Sequence, residues 1–556
     1  MKTLSLILAL LPLAANAGPT IFTNANGYTS TDNGIVQFDT LVVNDDGKLL
    51  AVKTGGPDDV YADTRTIDLD GATVLPGITD AHAHLLGLGA LRTQLDLFGI
   101  DSLETAVSLI GEFADNNPGS GWVLGRGWNQ VLWETGEFPT AADIDAVVSD
   151  RPVWLRRVDG HAGWANSKAL ELAGIDNDTP DPIGGKILRD ENGKATGTLI
   201  DKAMYMVNAR VPSPTKNEIR ASYRAAFADV TSQGITGVHD AGIAKEHAEV
   251  LLSMADDEEI SIRFYGMISG AGENLDAIGK PIIAYGNDRL DIRSVKLYQD
   301  GALGSRGAAM IRPYSDDPEN RGLPFWTDDE LYEKVAKADR MGFQVGIHAI
   351  GDKGNRMCLD AFAKVQGGKP SDKRHRIEHS QIVAVSDIPR FAELGIVASM
   401  QPVHATSDMN MAEDRVGPDR IKGGYAWRKM LDNDVIIASG SDFPVELVNP
   451  FHGLYAAVSR QDRGGMPADG WYPKEAMNRA EALHSFTLAA AFAAHQETRL
   501  GSLETGKWAD FIVVDRDYFE IDVSDIDDIE VLQTWVGGEK VFDKEAQNDR
   551  QAALGR

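Results

Sequence analysis

The sequence is poor in cysteine and in basic residues. Its 556 residues include one cysteine, Cys358, so no disulfide can form within the chain and a large hydrophobic core must stabilise the fold. We expect Cys358 to be a small buried helix residue rather than a reactive thiol. Lys and Arg total 54 against 83 Asp and Glu, which gives a net charge of −29. This balance argues against nucleic acid or an anionic membrane as a partner, because phosphate binding needs clustered Lys and Arg.

Long hydrophobic runs are also absent after the first residues. Residues 1–17 read MKTLSLILALLPLAANA, with a cationic start at Lys2, a short apolar stretch and a small-residue cleavage site at Ala15-Asn16-Ala17. This pattern predicts a signal peptide, export to the periplasm or out of the cell, and a mature chain that starts near Gly18. No later run reaches the roughly 18 apolar residues that span a bilayer. We therefore expect no membrane attachment once the signal peptide is removed.

Fingerprints of nucleotide-binding enzymes and serine hydrolases are missing. The glycines at 87–89 and 301–307 lack the spacing of a dinucleotide-binding turn. Residues 501–507, GSLETGK, resemble a phosphate loop, but Trp508 stands where Ser or Thr is needed to bind magnesium. No G-x-S-x-G nucleophile motif occurs in the chain. These absences argue against an open nucleotide-binding sheet and against serine catalysis.

Both ends of the sequence have the pattern of antiparallel β-structure. Residues 34–77 alternate β-branched apolar runs with polar turns, which predicts three or four strands. The pattern returns in ADFIVVDRD and VLQTWVGGEKVFD, with a hairpin turn at Gly537-Gly538. We therefore predict one small β-sandwich domain formed by both chain ends, residues 18–73 and 498–545, followed by a polar tail at 546–556.

Between these ends, short apolar runs alternate with stretches of helical spacing. Apolar strands separated by amphipathic helices indicate a parallel sheet covered on both faces, and eight such units predict a (β/α)8 barrel. The runs span residues 74–84, 234–240, 261–267, 294–300, 343–349, 374–380, 395–402 and 435–442. We therefore predict an α/β fold with a distorted TIM barrel, its first strand and loop at residues 74–90 and its remainder at residues 234–497.

The long interval at residues 91–233 exceeds a single strand and helix. It has many turn-forming residues and five tryptophans, Trp122, Trp128, Trp133, Trp154 and Trp164. This composition is too ordered for a linker, so we predict an inserted subdomain. We expect it to lean over the barrel mouth, where insertions change the substrate pocket.

Histidines and an aspartate mark the ends of the predicted barrel strands. His82 and His84 end the first strand, and residues two apart in an extended chain point to the same side. Both imidazoles can therefore reach one ion, although the pair alone also fits two hydrogen-bonded structural histidines. His348, His379 and Asp442 end the fifth, sixth and eighth strands. Because the ends of barrel strands meet at one rim, four imidazoles and a carboxylate converge there, which favours a metal site.

Lys296 lies inside the predicted fourth strand, between Val295 and Leu297. An unpaired ammonium would be costly in that position. One interpretation pairs Lys296 with a barrel carboxylate such as Asp300. The other is a lysine that loses its proton in apolar, cationic surroundings and adds carbon dioxide, so that the resulting carbamate can bridge two metals.

Five strings, in this order, resemble the amidohydrolase superfamily: GITDAHAH, VKLYQDGALGSR, GIHAIGD, RIEHSQ and ASGSDFP. The strings DGHAGWANSKALELAGI and VKLYQDGALGSRGA are similar to the amidohydrolase family 3 branch, which includes N-substituted formamide deformylase. The resemblance covers almost the entire mature chain. It implies two divalent metal ions, with zinc expected from the nitrogen and oxygen ligands and iron, manganese or cobalt as alternatives. The implied ligands are His82, His84 and Asp442 for the first metal, His348 and His379 for the second, and carbamylated Lys296 for both.

The same resemblance implies hydrolysis by a metal-bound hydroxide. Paired cations lower the pKa of a shared water, and Asp442 would accept its proton and return it to the leaving nitrogen. We therefore predict a metal-dependent hydrolase that cleaves a non-peptide carbon–nitrogen bond in an amide, an N-formyl group or a cyclic amide. The expected partner is a small-molecule substrate. Homodimers are common for such barrels, but no sequence feature specifies an interface.

Other reactions fit the same ligand set. A lactonase or phosphotriesterase would use the same hydroxide on a different bond. A mononuclear deaminase is less compatible, because His348 is followed by AIGD rather than by a nearby glutamate and because Lys296 is present. A non-catalytic binding or regulatory barrel would be expected to have lost ligands that this sequence retains.

Three residues outside the ligand set are candidates for substrate binding. His161 lies in the predicted insertion, where it could close over the pocket or pack among tryptophans. Gln299 and Arg306 follow the fourth strand and could contact substrate, with a loop-bracing role as the alternative. His239 and His404 follow the second and seventh strands and could line the mouth.

Overall fold

The computed structural model describes residues 18–56, 64–119, 121–134, 136–158 and 160–553. The predicted signal peptide, residues 1–17, lies outside the described residues. The described residues divide into two compact units, one formed by the residues up to His84 together with those from Ala228 onward, and the other formed by Leu85–Phe227.

The described residues contain the following strands and helices. The strands are β1 (Thr20–Thr23), β2 (Asn26–Thr31), β3 (Gly34–Phe38), β4 (Thr40–Val43), β5 (Leu49–Lys53), β6 (Arg65–Asp68), β7 (Thr73–Pro76), β8 (Ile78–Ala83), β9 (Leu95–Asp96), β10 (Val123–Trp128), β11 (Val153–Arg157), β12 (Ala162–Ala165), β13 (Gly185–Arg189), β14 (Ala195–Asp201), β15 (Ile235–Ile243), β16 (Arg263–Ser269), β17 (Ile282–Ala284), β18 (Leu290–Tyr298), β19 (Gln344–Ala349), β20 (Arg376–His379), β21 (Val397–Met400), β22 (Ile437–Ser439), β23 (Phe511–Val514), β24 (Val531–Val536) and β25 (Glu539–Asp543). The helices are α1 (Leu85–Thr93), α2 (Leu103–Asn116), α3 (Ala141–Asp145), α4 (Ser167–Ala173), α5 (Met204–Asn208), α6 (Lys216–Ser232), α7 (Lys245–Asp256), α8 (Glu273–Ile278), α9 (Tyr285–Asp288), α10 (Asp328–Arg340), α11 (Asp352–Gln366), α12 (Ile388–Leu394), α13 (Pro402–Asp408), α14 (Ala412–Arg420), α15 (Trp427–Leu431), α16 (Pro450–Ser459), α17 (Arg479–Ser485), α18 (Leu488–Ala493) and α19 (Lys544–Ala553).

Eight parallel strands form a nearly closed barrel in the first unit. Their order is β8, β15, β16, β18, β19, β20, β21 and β22, and each neighbouring pair is parallel. Strand β22 lies against β8, and the Asp442 amide just after β22 donates to the His82 carbonyl of β8 at 2.7 Å. The predicted α/β fold with a distorted TIM barrel is therefore confirmed.

The barrel helices follow from local sequence signals, of which α10 is an example. Thr327 caps the first turn together with Glu330, and Lys337 and Arg340 lie in the last turn, where cations favour the helix dipole. The buried face consists of apolar residues at helical spacing, Leu331, Val335 and Ala338. Helix α11 buries Cys358, as expected, and burial raises the pKa of the Cys358 thiol well above its ordinary value.

The two chain ends form a β-sandwich. One sheet has the order β5, β4, β1 and β6, and the other has the order β25, β24, β23, β7, β2 and β3. Their facing side chains share one core, in which the Phe22 ring lies 5.1 Å from Phe511 and 4.9 Å from Trp535. The hairpin predicted at Gly537-Gly538 is confirmed, because it joins the antiparallel strands β24 and β25.

The run predicted as the first barrel strand, residues 74–84, is divided at Gly77. Strand β7 before it pairs with β2 and β23 of the sandwich, whereas β8 after it pairs with β15 of the barrel. A Cβ atom at Gly77 would lie 2.2 Å from the Thr236 hydroxyl, so glycine is required for this close approach. The last sandwich strand before the barrel, β7, and the first barrel strand, β8, are therefore consecutive in the chain.

The second unit, Leu85–Phe227, overlaps the insertion predicted at residues 91–233. Its sheet has the order β13, β14, β12, β11, β10 and β9. Trp128, Trp133 and Trp164 pack in its core with ring centres 6.1 to 6.2 Å apart. Across the part of the chain that the structure describes, no helix has both the length and the apolar character needed to cross a bilayer.

Candidate metal centre

The predicted ligands lie at the carboxyl ends of the barrel strands. His82 is on β8 and His84 follows it directly, while Lys296 is on β18 and His348 on β19. His379 ends β20, and Asp442 follows β22. Strand ends of this kind are where (β/α)8 barrels place their chemistry.

Three of these side chains form a compact buried cluster. His82, His379 and Asp442 each offer one ligand atom, and these atoms lie within 4.8 Å of one another. His84 Nε2 lies 3.2 Å from Asp442 Oδ1, and the His348 and His379 rings are 4.6 Å apart. The structure thus brings the predicted histidines and aspartate to one place.

The donor atoms fit a divalent cation. Asp442 Oδ1 and His348 Nε2 are buried and have no hydrogen-bond partner, although buried polar atoms are normally paired. Imidazole nitrogens with a carboxylate oxygen are the donor set that zinc and similar transition metals bind. A cation at this position would satisfy the Asp442 oxygen, which explains why it has no other partner.

Lys296 belongs to the same cluster. Its Nζ lies 3.0 Å from His82 Nε2 and 4.9 Å from the centre of the Tyr298 ring. Burial lowers the pKa of Lys296 to about 8, against a smaller opposing effect of the Glu378 charge. A lysine of this kind loses its proton far more readily than an exposed one, and carbon dioxide adds only to the neutral amine.

The suggested pairing of Lys296 with Asp300 is wrong. The Asp300 carboxylate instead accepts hydrogen bonds from the backbone N–H groups of Ala309, Ile350 and Gly351 at 2.8 to 2.9 Å. The nearest approach of Asp300 to the ligand set is its Oδ1, which lies 3.7 Å from His348 Nε2. Asp300 therefore ties the loop after β18 to the end of β19.

Two further residues contact the candidate ligand histidines and were not found from the sequence. His82 Nδ1 lies 2.5 Å from Glu378 Oε2, and His379 Nδ1 lies 2.7 Å from Gln401 Oε1. Partners of this kind restrict the orientation of an imidazole ring. The available signal for Glu378 was its position, since a charged residue inside a short buried strand needs a partner.

Burial lowers the pKa of His82, His348 and His379 and so favours the neutral imidazole, which is the form that binds metal. Burial lowers the pKa of His82 to about 4 and that of His348 to about 3, and the Lys296 charge acts in the same direction. Burial alone would raise the pKa of Asp442, but the nearby imidazoles of His84, His82 and His404 lower it below its ordinary value. The cluster therefore presents neutral nitrogens and a charged carboxylate.

Backbone strain accompanies two of the ligands. His379 has φ of 75° and Asp442 has φ of 65°, both in the left-handed region that non-glycine residues rarely adopt. Such strain of about 1–3 kcal/mol per residue tends to occur at functional sites. Next to Asp442, a Cβ atom at Gly440 would lie 2.5 Å from both Asp80 Oδ1 and His82 N. The ligand backbone is therefore closely packed on both strands.

The predicted substrate-binding residues have other contacts. Arg306 forms an exposed ion pair with Asp316, its NH2 lying 2.9 Å from Oδ2. Gln299 is buried and donates its Nε2 to the Trp326 carbonyl at 3.1 Å. Both contacts correspond to the loop-bracing alternative, and the structure does not bring these two side chains into the ligand cluster.

The remaining candidate histidines are distributed differently. His161 belongs to the second unit, where its largely exposed ring bonds to Asp201 Oδ1 at 2.8 Å. His404 lies at the cluster, with Nε2 3.8 Å from Asp442 Oδ2. His239 is buried below the cluster, where its Nδ1 lies 2.9 Å from Arg376 NH1.

Comparisons with known proteins agree with this geometry. The sequence profile of the amidohydrolase family matches residues 65–542. Protein LONG AFTER FAR-RED 3 of Arabidopsis thaliana is 34% identical over 97% of this chain and 94% of its own length. N-substituted formamide deformylase of Arthrobacter pascens is 28% identical over 86% of this chain and 89% of its own length. The crystal structure of an uncharacterized metal-dependent hydrolase from Pyrococcus horikoshii aligns with a TM-score of 0.76 at 28% identity, and covers 91% of this chain and 99% of that one.

The profile match spans the inserted unit, all eight barrel strands and the sandwich strands β6, β7, β23 and β24, so the likeness is not limited to a few motifs. Together with the buried histidine and aspartate donors, it identifies a metal-dependent hydrolase. The chain therefore belongs to the amidohydrolase family, and the branch that was expected from the sequence, amidohydrolase family 3, is confirmed.

Proposed function

We propose that the protein hydrolyses a non-peptide carbon–nitrogen bond in a small molecule, as an amide, an N-formyl group or a cyclic amide. The observation that carries the proposal is the buried cluster of His82, His379 and Asp442, whose ligand atoms lie within 4.8 Å of one another. The relative that is named for the deformylation of N-substituted formamides, at 28% identity, favours this bond over an ester.

We propose two divalent ions, zinc in the first instance. His82, His84 and Asp442 would hold one ion and His348 with His379 the other, while carbamylated Lys296 would contact both. Bound divalent ions lower the pKa of water and polarise a carbonyl group, which is the chemistry that this hydrolysis needs. The short approach of Lys296 Nζ to His82 Nε2, 3.0 Å, supports a place for Lys296 between the two histidine sets.

Asp442 is the proposed proton shuttle. Its Oδ1 has no hydrogen-bond partner, and the neighbouring histidines keep the pKa of its carboxyl low. Asp442 would accept a proton from the attacking water and deliver it to the nitrogen that leaves, which otherwise departs poorly as an anion. His84, with Nε2 at 3.2 Å, holds the carboxylate in place for both transfers.

A substrate panel tests the proposal. Purified protein loaded with zinc is assayed on matched amides, N-substituted formamides, cyclic amides, lactones and phosphotriesters. We expect turnover of at least one of the first three classes and a fall of about 10²- to 10⁴-fold in kcat for Asp442→Asn, the usual range for a lost general acid or base. Turnover that is restricted to lactones or phosphotriesters would overturn the assignment of the bond.

We also propose that residues 1–17 direct export and are removed. The acidic composition, with a net charge of −29, suits an exported protein that remains dispersed by charge repulsion. Mass spectrometry of protein from the periplasm and medium tests this. A mature chain that starts near Gly18 is expected, and an intact Met1 in cytoplasmic material alone would contradict it.

A further inference from the structure

Glu378 is buried beside the metal-ligand cluster without belonging to the proposed ligand set. Its Oε2 lies 2.5 Å from His82 Nδ1, and both side chains are wholly buried. Arg376, two residues earlier on β20, donates from Nε to Glu378 Oε1 at 2.6 Å and from NH2 to Oε2 at 3.0 Å. Both carboxylate oxygens are therefore engaged inside the barrel, and the side chain has no freedom to rotate.

Arg376 is itself held by several strands. Its NH2 donates to Ser399 Oγ of β21 at 2.8 Å and to the Ala81 carbonyl of β8, and its NH1 lies 2.9 Å from His239 Nδ1 of β15. A guanidinium carries only donors and does not lose its proton in a protein. Glu378, which faces it with both oxygens, is therefore an ionised acceptor.

This arrangement determines which nitrogen of His82 carries the proton. An ionised carboxylate can only accept, so the imidazole must have its proton on Nδ1. A neutral ring has one such proton, and Nε2 then keeps its lone pair.

We propose that Glu378, held in place by Arg376, is a positioning residue that keeps Nε2 of His82 available to bind the metal. The side chain would act through His82, because both of its oxygens are already engaged by His82 and Arg376. The inference rests on the proposed metal centre and not on the bond that is hydrolysed. The Glu378–Arg376 ion pair could otherwise be explained as a contact that only stabilises the barrel. The proposal gives this pair a role in metal binding.

Glu378→Gln tests the proposal. The amide must place an NH2 group either against Arg376, which has only donors, or against His82 Nδ1, which then has to give up its proton. The second arrangement moves the ring proton to Nε2 and blocks metal binding. We expect the affinity for zinc alone, measured on metal-free protein by competition with a chromogenic chelator, to fall about 10- to 100-fold.

Asp510→Asn is the matched control. Asp510 also accepts two hydrogen bonds from a buried arginine, Arg263, with Nε and NH2 both at 2.8 Å, but on the sandwich side of the barrel. Its loss should lower the melting temperature as Glu378→Gln does, while the zinc affinity stays within twofold of the parent. Equal losses of zinc affinity in both variants would overturn the proposal, since a general structural effect would then explain them.

Glu378→Asp keeps the test decisive if the glutamine variant does not fold. It preserves the charge opposite Arg376 and withdraws the carboxylate from His82 Nδ1, so zinc affinity should fall at least fivefold. Parent-like affinity of either Glu378 variant overturns the proposal, and so does a parent chain that binds no zinc. Parent chain that binds zinc but hydrolyses no amide contradicts only the proposed function.

Discussion

Replacement of Lys296 by methionine should stabilise the metal-free protein while it abolishes activity. The side chain is wholly buried, and its pKa falls from the ordinary 10.5 to about 8. At 1.36 kcal/mol for each pKa unit, the charged amine destabilises the fold by about 3 kcal/mol. Methionine has a similar length and no charge, so Lys296→Met removes this penalty. The lost contact with His82 Nε2 offsets about 1 kcal/mol, which leaves a net gain of about 2 kcal/mol at pH 7.

The pH dependence separates this cause from improved packing. The unfolded chain holds the Lys296 proton up to about pH 10.5, whereas the folded chain releases it near pH 8. The penalty is therefore complete below pH 8 and disappears as the pH rises to 10.5, so the parent gains stability across that window. The variant has no such group, and its advantage over the parent should shrink between pH 7 and pH 10.

Urea denaturation provides the measurement. Parent and variant are treated with a chelator and kept free of bicarbonate, so that neither metal nor carbamate contributes. Lys422→Met serves as the control, because Lys422 is exposed and pairs with the exposed Asp419, and its change should stay within about 0.5 kcal/mol. A Lys296→Met variant no more stable than the parent at pH 7, or an advantage that does not change with pH, would refute the reasoning.

Two further outcomes are expected at the same centre. Removal of metal with a chelator should abolish hydrolysis and lower the melting temperature, and zinc at 100 times its Kd should restore about 2.7 kcal/mol of stability; an unchanged melting curve would contradict a metal centre. Gly440→Ala should destabilise the fold by about 1–3 kcal/mol and weaken zinc binding, because the new Cβ would lie 2.5 Å from Asp80 Oδ1 and His82 N. Gly272→Ala, where the Cβ meets nothing within 4 Å, is its control, and equal effects of the two variants would show that packing at Gly440 is unimportant.

The clustering of the candidate metal ligands was predictable, because the topology of a parallel barrel places residues that end different strands at the same rim. His82, His348 and His379 lie at the ends of apolar strands, and parallel strands bring their ends to one rim whatever the length of the connections. The same logic did not apply to Gln299 and Arg306. They lie in a loop, where the side-chain direction depends on contacts such as the Arg306–Asp316 pair that no periodicity describes.

The partners of the ligands were not predictable for a related reason. Glu378 and His82 are 296 residues apart, and their hydrogen bond depends on the way β20 lies opposite β8 inside the barrel. Gly77 shows the same limit at a boundary. The apolar run that contains it reads as one strand, and only the close approach of Thr236 reveals that the chain changes sheets there.

The larger sandwich sheet has a consequence for how the protein is made. Strands β2, β3 and β7 come from the start of the chain, and β23, which must pair with β7, begins at Phe511. During synthesis, the edge of β7 therefore stays unpaired while more than 400 intervening residues are added. Such a large sequence separation slows folding, and the unpaired strand edge can form non-native pairs with other strands. The sheet is complete only when β23, β24 and β25 have been synthesised. Chains that are released before these strands emerge should therefore be preferred targets of chaperones and proteases.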